Sequence, residues 1–139
     1  MSYAGVRNAL DRYSQNAVQA GVESATPHRL IQMLLEGALD RIAAARGLLE
    51  RGDMAGKGRQ ITSVIAILDG LRASLDHEKG GEIAANLEDL YLYMSRRLVE
   101  SHARNDPAAL DEVADLLREI KSAWDAIASH PAVQAHPAA

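Results

Sequence analysis

Apolar side chains recur at intervals of three and four residues along three stretches of the chain. This spacing places them on one face of an α-helix, and no run of β-branched residues shows the alternation typical of a strand. The stripe residues are Ile61, Val64, Ile65, Leu68, Leu71 and Leu75 in one stretch, Ile83, Leu87, Leu90, Tyr91, Met94 and Leu98 in the next, and Leu110, Val113, Leu117, Ile120, Trp124 and Ile127 in the last. The pattern predicts three amphipathic helices around one core.

An earlier stretch is apolar over more of its circumference than one core contact requires. Its stripe is widened by Ile31, Leu35 and Leu39, and the third of the four predicted helices carries Leu92, Tyr93 and Val99 outside its main stripe. Such extra apolar surface has to be covered. Periodicity leaves open a deeply buried central helix, a homodimer contact, or a groove for a foreign amphipathic helix. The stripe of this first helix comprises Leu30, Leu34, Ala38, Ile42, Ala45 and Leu49.

Capping residues, glycine and proline divide the chain into four segments of similar length. Polar caps followed by Pro favour helix starts, and a basic residue followed by Gly favours a helix end. The boundary signals are Thr26-Pro27, Arg51-Gly52-Asp53, Gly80-Gly81, Asn105-Asp106-Pro107 and His130-Pro131. Short connections between helices of equal length predict an all-α fold, an antiparallel four-helix bundle over residues 26–129. Residues 130–139 are expected to form a mobile, disordered tail.

Residues 1–25 carry a weaker helical stripe, flanked by glycines that loosen both ends. Its apolar face is too small for a core of its own, so we expect a short, partly helical segment that docks on the bundle. It could pack permanently as a fifth helix, or it could cover an apolar groove until a partner replaces it. The stripe consists of Val6, Leu10, Tyr13 and Ala17.

The composition is that of one globular domain with an aliphatic core. The chain has 139 residues, of which 47% are hydrophobic, 24% charged and only 4% aromatic. Its net charge of −4, without a basic run, argues against nucleic acid as a partner. Cysteine is absent, which excludes disulfides and thiolate chemistry and is compatible with the cytoplasm. We expect neither a signal peptide nor insertion into a membrane.

No arrangement of residues predicts an enzyme or a bound cofactor. Residues 52–58 superficially resemble a phosphate-binding loop, but no Ser or Thr follows Lys57, and no predicted strand precedes the stretch. These differences favour a helix-to-helix turn. No Glu has a His three positions later, as a dimetal bundle site requires. No Ser occupies a Gly-x-Ser-x-Gly turn. An acidic group could hold a cation weakly but is more typical of a solvated helix end; it contains Asp76, His77, Glu78 and Glu82.

Several motifs resemble those of the flagellin-specific export chaperone family, FliS. The most specific is the block from Glu78 to Ala84, Glu-Lys-Gly-Gly-Glu-Ile-Ala, which is followed by Leu90-Tyr91 and Tyr93-Met94. Further matches are Thr26-Pro27-His28-Arg29-Leu30-Ile31, Arg96-Arg97-Leu98, Arg104-Asn105-Asp106 and Ala123-Trp124. The chain departs from the family at Thr26, where Ser is more frequent, and at Leu35, where an aromatic residue is common.

The resemblance implies an antiparallel bundle that binds the C-terminal segment of flagellin in the cytoplasm. Binding would prevent premature filament assembly and assist delivery to a component of the flagellar export gate. The family also implies that the N-terminal segment lies near the binding surface, where Leu10 and Tyr13 match functionally important positions. Together with the spare apolar surface, the expected partner-binding residues are Leu10, Tyr13, Ile31, Leu35, Leu39, Leu92 and Tyr93. The alternative is a structural module that self-associates into a homodimer through the same faces.

Overall fold

The computed structural model describes residues 25–129, which form four α-helices joined by short connections. The helices are α1 (Pro27–Glu50), α2 (Met54–Ala73), α3 (His77–Arg104) and α4 (Pro107–Ala126). No strand occurs within this range. The predicted all-α fold is therefore confirmed, whereas the predicted N-terminal helical segment and C-terminal tail lie outside the described residues.

The four helices pack in a ring in which each contacts two neighbours. Helix α1 packs against α2 and α4, and α3 packs against the same two helices. Polar pairs show the antiparallel register of α1 and α4, since Gln32 bonds Asp125 and Arg46 bonds Asp111. The arrangement brings the start of α1, the end of α2, the start of α3 and the end of α4 to the same end of the bundle.

Each helix begins with a polar side chain that accepts a hydrogen bond from an otherwise unpaired backbone N–H. Such capping is worth about 1 kcal/mol per helix. Pro follows the cap in α1 and α4, where its missing N–H costs nothing because that donor has no helical partner. The capping residues are Thr26, Asp53, Asp76 and Asp106.

Gly80-Gly81, predicted to divide two helices, lies at a break within α3 and not at the connection between α2 and α3. Helix α3 already begins at His77, and Gly81 lies inside it with φ 50° and ψ −124°. This left-handed backbone interrupts the helix, which is why the position suits Gly. The connection between α2 and α3 is instead formed by residues 74–76, where Ser74 is buried and its hydroxyl donates to the carbonyl oxygen of Leu71 at 2.7 Å.

The core is aliphatic and follows the predicted stripes, except that two stripe residues are exposed and one residue outside the stripes is buried. Ile83, two residues after the Gly81 kink, is 72% exposed, and Ile127, at the C-terminal cap of α4, is 45% exposed. Ile67 is fully buried although it lies off the predicted stripe. The side chains without exposed surface include Leu30, Leu34, Leu35, Ala38, Val64, Met94, Leu98, Leu110, Val113 and Leu117.

Candidate functional site

An apolar pocket opens at the end of the bundle where α1 and α3 begin and α4 ends. Its volume is about 290 Å³. Most of the lining side chains are aliphatic or aromatic, and the charged residues among them are Asp76 and Lys79. The lining residues are Ile31, Ser74, Leu75, Asp76, Lys79, Gly80, Ile83, Ala84, Leu87, Tyr91, Ile120 and Trp124. A concave site of this composition suits the apolar face of a ligand rather than a polar substrate.

Two small residues at the start of α3, Gly80 and Ala84, line the pocket. A Cβ atom added to Gly80 would approach the Cβ of Ala84, four residues later in the same helix, to 2.8 Å, so this position has no room for a side chain. The kink at Gly81 follows directly, and Ile83 lines the pocket while 72% of it remains exposed. A large apolar residue is thus presented to solvent beside the pocket.

Two nearly buried side chains form part of the pocket lining. Ile31 on α1 and Tyr91 on α3 are each 5% exposed. Burial raises the pKa of Tyr91 to about 12, because the phenolate would lose its hydration. Tyr91 is therefore neutral at physiological pH, and the pocket carries no charge from this residue.

Trp124 on α4 is fixed to the first turn of α1 by two contacts with His28. Its indole Nε1–H donates to the carbonyl oxygen of His28 at 2.9 Å. The imidazole and indole rings stack with centroids 4.6 Å apart and planes inclined by 7°. These two contacts hold one wall of the pocket in place.

An acidic residue beside this stack is held by cationic and amide donors. Asp125 accepts hydrogen bonds from Lys121 at 2.6 Å and from Gln32 at 2.7 Å. The bond from Lys121 lowers the pKa of Asp125 most, and the bond from Gln32 adds to that effect. Burial lowers the pKa of His28, against the opposing attraction of Asp125, so the imidazole is neutral at physiological pH.

The structure separates the predicted site residues on α1. Ile31 lines the pocket, whereas Leu35 has no exposed surface and packs in the core, where it cannot offer the surface expected from sequence. Leu39 is half-buried and packs against the core from its margin. Leu10 and Tyr13 lie outside the described residues.

The two predicted site residues on α3 lie away from the pocket lining. Leu92 is half-buried. The Tyr93 hydroxyl donates to Glu112 at 2.7 Å, and Arg97 donates to the same carboxylate at 2.6 Å. Tyr93 thus belongs to a polar connection between α3 and α4, and its neighbour Tyr91 lines the pocket instead.

Half of the pocket-lining residues lie on stripes predicted to form the core. Leu87, Ile120 and Trp124 continue the core stripes of α3 and α4, but they lie where the helices no longer cover one another completely. The sequence does contain one indication of their position. They lie toward helix ends that the short connections bring together at one end of the bundle.

Residues of the stretch 52–58 and of the acidic group at Asp76 have structural roles. Asp53 caps α2, and Gly56 and Gly58 lie in the first turns of α2 rather than in a loop. Asp76 caps α3, and His77 lies 3.1 Å from the carboxylate of Glu88. Between residues 25 and 129, no group of three or more His, Asp or Glu side chains is placed to hold a metal ion. The helices in that range are also too short or too polar to cross a membrane.

Sequence comparison finds similarity to known proteins over nearly the whole chain. A sequence model of the family described as flagellar protein FliS matches residues 9–131. Flagellar secretion chaperone FliSB of Pseudomonas aeruginosa is 51% identical over 119 residues, covering 86% of this chain and 94% of that protein. Flagellar secretion chaperone FliS of Salmonella typhimurium is 46% identical over 128 residues, covering 91% and 95%.

A more distant relative shows the same extent of similarity. Flagellar secretion chaperone FliS of Bacillus subtilis is 32% identical over 119 residues, covering 86% of this chain and 85% of that protein. The residues matched by the family model include all four helices and the pocket lining. From the family match and these identities, we conclude that the chain belongs to the FliS family.

Proposed function

We propose that the protein is a cytoplasmic export chaperone that binds the C-terminal segment of flagellin. In this role it prevents premature polymerisation and assists delivery to the flagellar export apparatus. The observation that carries the proposal is the apolar pocket with Ile83 exposed at its edge. The names of the relatives, flagellar secretion chaperones, support the same role.

The pocket fits the apolar ridge of an amphipathic helix or a short extended segment. A partner side chain entering it would meet Ile31, Leu87 and Trp124 on three different helices. Each large aliphatic side chain that becomes fully buried contributes about 1.5–3 kcal/mol. Asp76 and Lys79, which carry opposite charges, could pair with polar residues that flank the buried ridge.

We further propose that the N-terminal segment lies near the pocket and contributes Leu10 and Tyr13. The chain enters α1 at Pro27, which is at the pocket end of the bundle. Thirteen residues, 14–26, separate Tyr13 from that point, and an extended chain of this length spans up to about 45 Å. The segment is therefore long enough to reach the pocket. We propose that it covers the pocket in the free protein and is displaced when a partner binds.

A partner longer than the pocket would continue over neighbouring surfaces. We propose that it extends along α3 to Leu92 and Tyr93, and along α1 to Leu39, which are all half-buried. Leu35 would then act from within the core by supporting Ile31, one turn away on the same helix. Ordering a flexible segment over such a surface costs several kcal/mol, which apolar burial has to offset.

Calorimetric titration of the protein with the flagellin C-terminal segment tests the proposal. We expect one segment to bind per chain, with a negative heat-capacity change from the burial of apolar surface. A segment of scrambled sequence and equal composition serves as the control. Absence of binding while both components remain soluble would refute the proposal. A stable homodimer whose dissociation is unaffected by the flagellin segment would favour the self-associating module instead.

A further inference from the structure

His28 is a buried imidazole in the first turn of α1. Only 6% of the residue is exposed, and neither Nδ1 nor Nε2 bonds to an atom of residues 25–129. Buried polar groups are usually satisfied, and one left unpaired costs about 1–3 kcal/mol. The stack on Trp124 compensates through ring contact, but it offers no acceptor to an imidazole N–H. The site therefore tolerates a neutral ring and is poorly suited to a charged one.

The position of this imidazole links its charge to the pocket. Trp124 lines the pocket, stacks on the His28 ring and donates its N–H to the His28 carbonyl oxygen. Displacing the His28 ring removes the face against which the indole is packed. The position of Trp124 in the pocket wall therefore depends on the position of the His28 ring.

Within residues 25–129, the charged groups beside the stack are already engaged with other partners. On α4, Asp125 is already bonded to Lys121 and to Gln32 of α1. On α1, Arg29 pairs with Glu36 at 3.1 Å.

On the opposite side of the pocket, α3 presents Asp76, whose carboxylate caps the helix, and Lys79, which would repel a second cation. Asp125 is the anion that favours the charged form, and the loss of hydration on burial outweighs it.

We propose that protonation of His28 separates its ring from Trp124, withdraws one wall of the pocket and releases the bound partner segment. The inference rests on the proposed function, because the flagellin segment is the partner to be assayed. A charged imidazole has two N–H donors and seeks water, which it reaches only by leaving the stack. Once solvated, it titrates near its ordinary pKa of 6.5, so acid favours the open wall and neutral pH favours the closed one.

Fluorescence tests the movement without any partner, since Trp124 is the only tryptophan of the chain. We expect its emission to change between about pH 7.5 and about pH 5, with a midpoint below 6.5. His28→Phe retains an aromatic stack that cannot be protonated and should abolish the change. His28→Gln is a second variant in which residue 28 cannot be protonated. His102→Gln, at the opposite end of the bundle, should leave the transition intact. A flat curve for the unaltered protein would overturn the inference.

Binding measurements then test the coupling to capture. We expect the affinity for the flagellin segment to fall at least about threefold between pH 7 and pH 5.5, since uptake of one proton permits at most about tenfold per pH unit. In His28→Phe, the ratio of the affinities at pH 7 and pH 5.5 should approach one. This variant also serves as the control for titration of groups on the segment itself. Equal affinity of the unaltered protein at both pH values overturns the inference. Absence of binding at either pH refutes the proposed function instead, and the emission curve then decides the inference.

Discussion

Lys57, in the first turn of α2, is fully buried and donates from its ammonium group to the carbonyl oxygen of His102, near the end of α3, at 3.1 Å. The same ammonium donates to the side-chain oxygen of Asn105. Asn105 ends α3 in the left-handed conformation, with φ 51°. The last carbonyls of a helix lack intrahelical partners and carry partial negative charge, so a buried cation is stabilised there. This contact fixes the end of the bundle opposite the pocket.

Replacing Lys57 by Met keeps most of the side-chain volume and removes the donor. The His102 carbonyl and the Asn105 side chain then lose a buried partner, and we expect a loss of about 1–3 kcal/mol in the free energy of unfolding. Urea denaturation measures it. Lys79→Met, at an exposed position, is the matched control and should change stability by less than about 0.5 kcal/mol. Equal effects of the two substitutions would contradict the structural role of Lys57.

Leu117 on α4 tests the packing of the core. It has no exposed surface, and Leu117→Ala should cost about 2–5 kcal/mol through lost burial and the cavity left behind. Leu116, the preceding residue, is only half-buried, so Leu116→Ala should cost less. Chemical denaturation compares the two variants. A loss below about 0.5 kcal/mol for Leu117→Ala would show that the core assignment is wrong.

The carboxylate of Glu112 makes stability depend on pH in acid. Hydrogen bonds from Tyr93 and, secondly, from Arg97 hold the pKa of Glu112 below its ordinary value of 4.5. The unfolded chain therefore takes up this proton at a higher pH than the folded protein does. The stabilisation is complete above about pH 5.5 and is lost as the pH falls through the lowered pKa of the folded state.

Glu112→Gln should flatten this acid dependence, as judged by denaturation midpoints measured between about pH 6 and about pH 3. Asp115→Asn, which alters an exposed carboxylate paired with Arg118 on the same helix, is the matched control. Should both variants retain the slope of the unaltered protein, Glu112 would not be responsible for it.

The kink in α3 depends on glycine at position 81. Its φ of 50° costs other residues about 1–2 kcal/mol, and no atom lies near an added Cβ, so Gly81→Ala isolates the backbone cost. Gly47 lies in a regular part of α1, and Gly47→Ala should instead stabilise by up to about 1 kcal/mol. Thermal denaturation of both variants tests the contrast. Stabilisation by Gly81→Ala would show that α3 is not kinked there.

Periodicity predicted the four helices because burial in a bundle follows the helical repeat. Leu34, Val64, Met94 and Leu117 lie where the stripes place them, and the family resemblance carried by the Glu78–Ala84 block is confirmed by the comparisons. Helix caps were also visible as Thr26-Pro27 and Asp106-Pro107, since capping depends on neighbouring residues alone.

Features that depend on contacts between helices were not visible in the sequence. The stripe containing Leu87 and Ile120 has the same period inside the core and at its open end, so periodicity cannot distinguish core from pocket. The burial of Lys57 requires acceptors that α3 supplies 45 residues later. Leu35 was expected at the surface because its stripe is wide, but neighbouring helices cover the whole width at that level.

Binding of flagellin at the pocket is the central proposal, and two exposed residues of α3 test it directly. Ile83 lines the pocket and is 72% exposed, while Val99 lies outside the lining and is 58% exposed, so an aspartate at either position spares the core. Calorimetric titration with the flagellin C-terminal segment should show Ile83→Asp weakened at least about tenfold, or about 1.4 kcal/mol, and Val99→Asp within about twofold of the unaltered protein. Unchanged binding by Ile83→Asp, or equal loss in both variants, would contradict it.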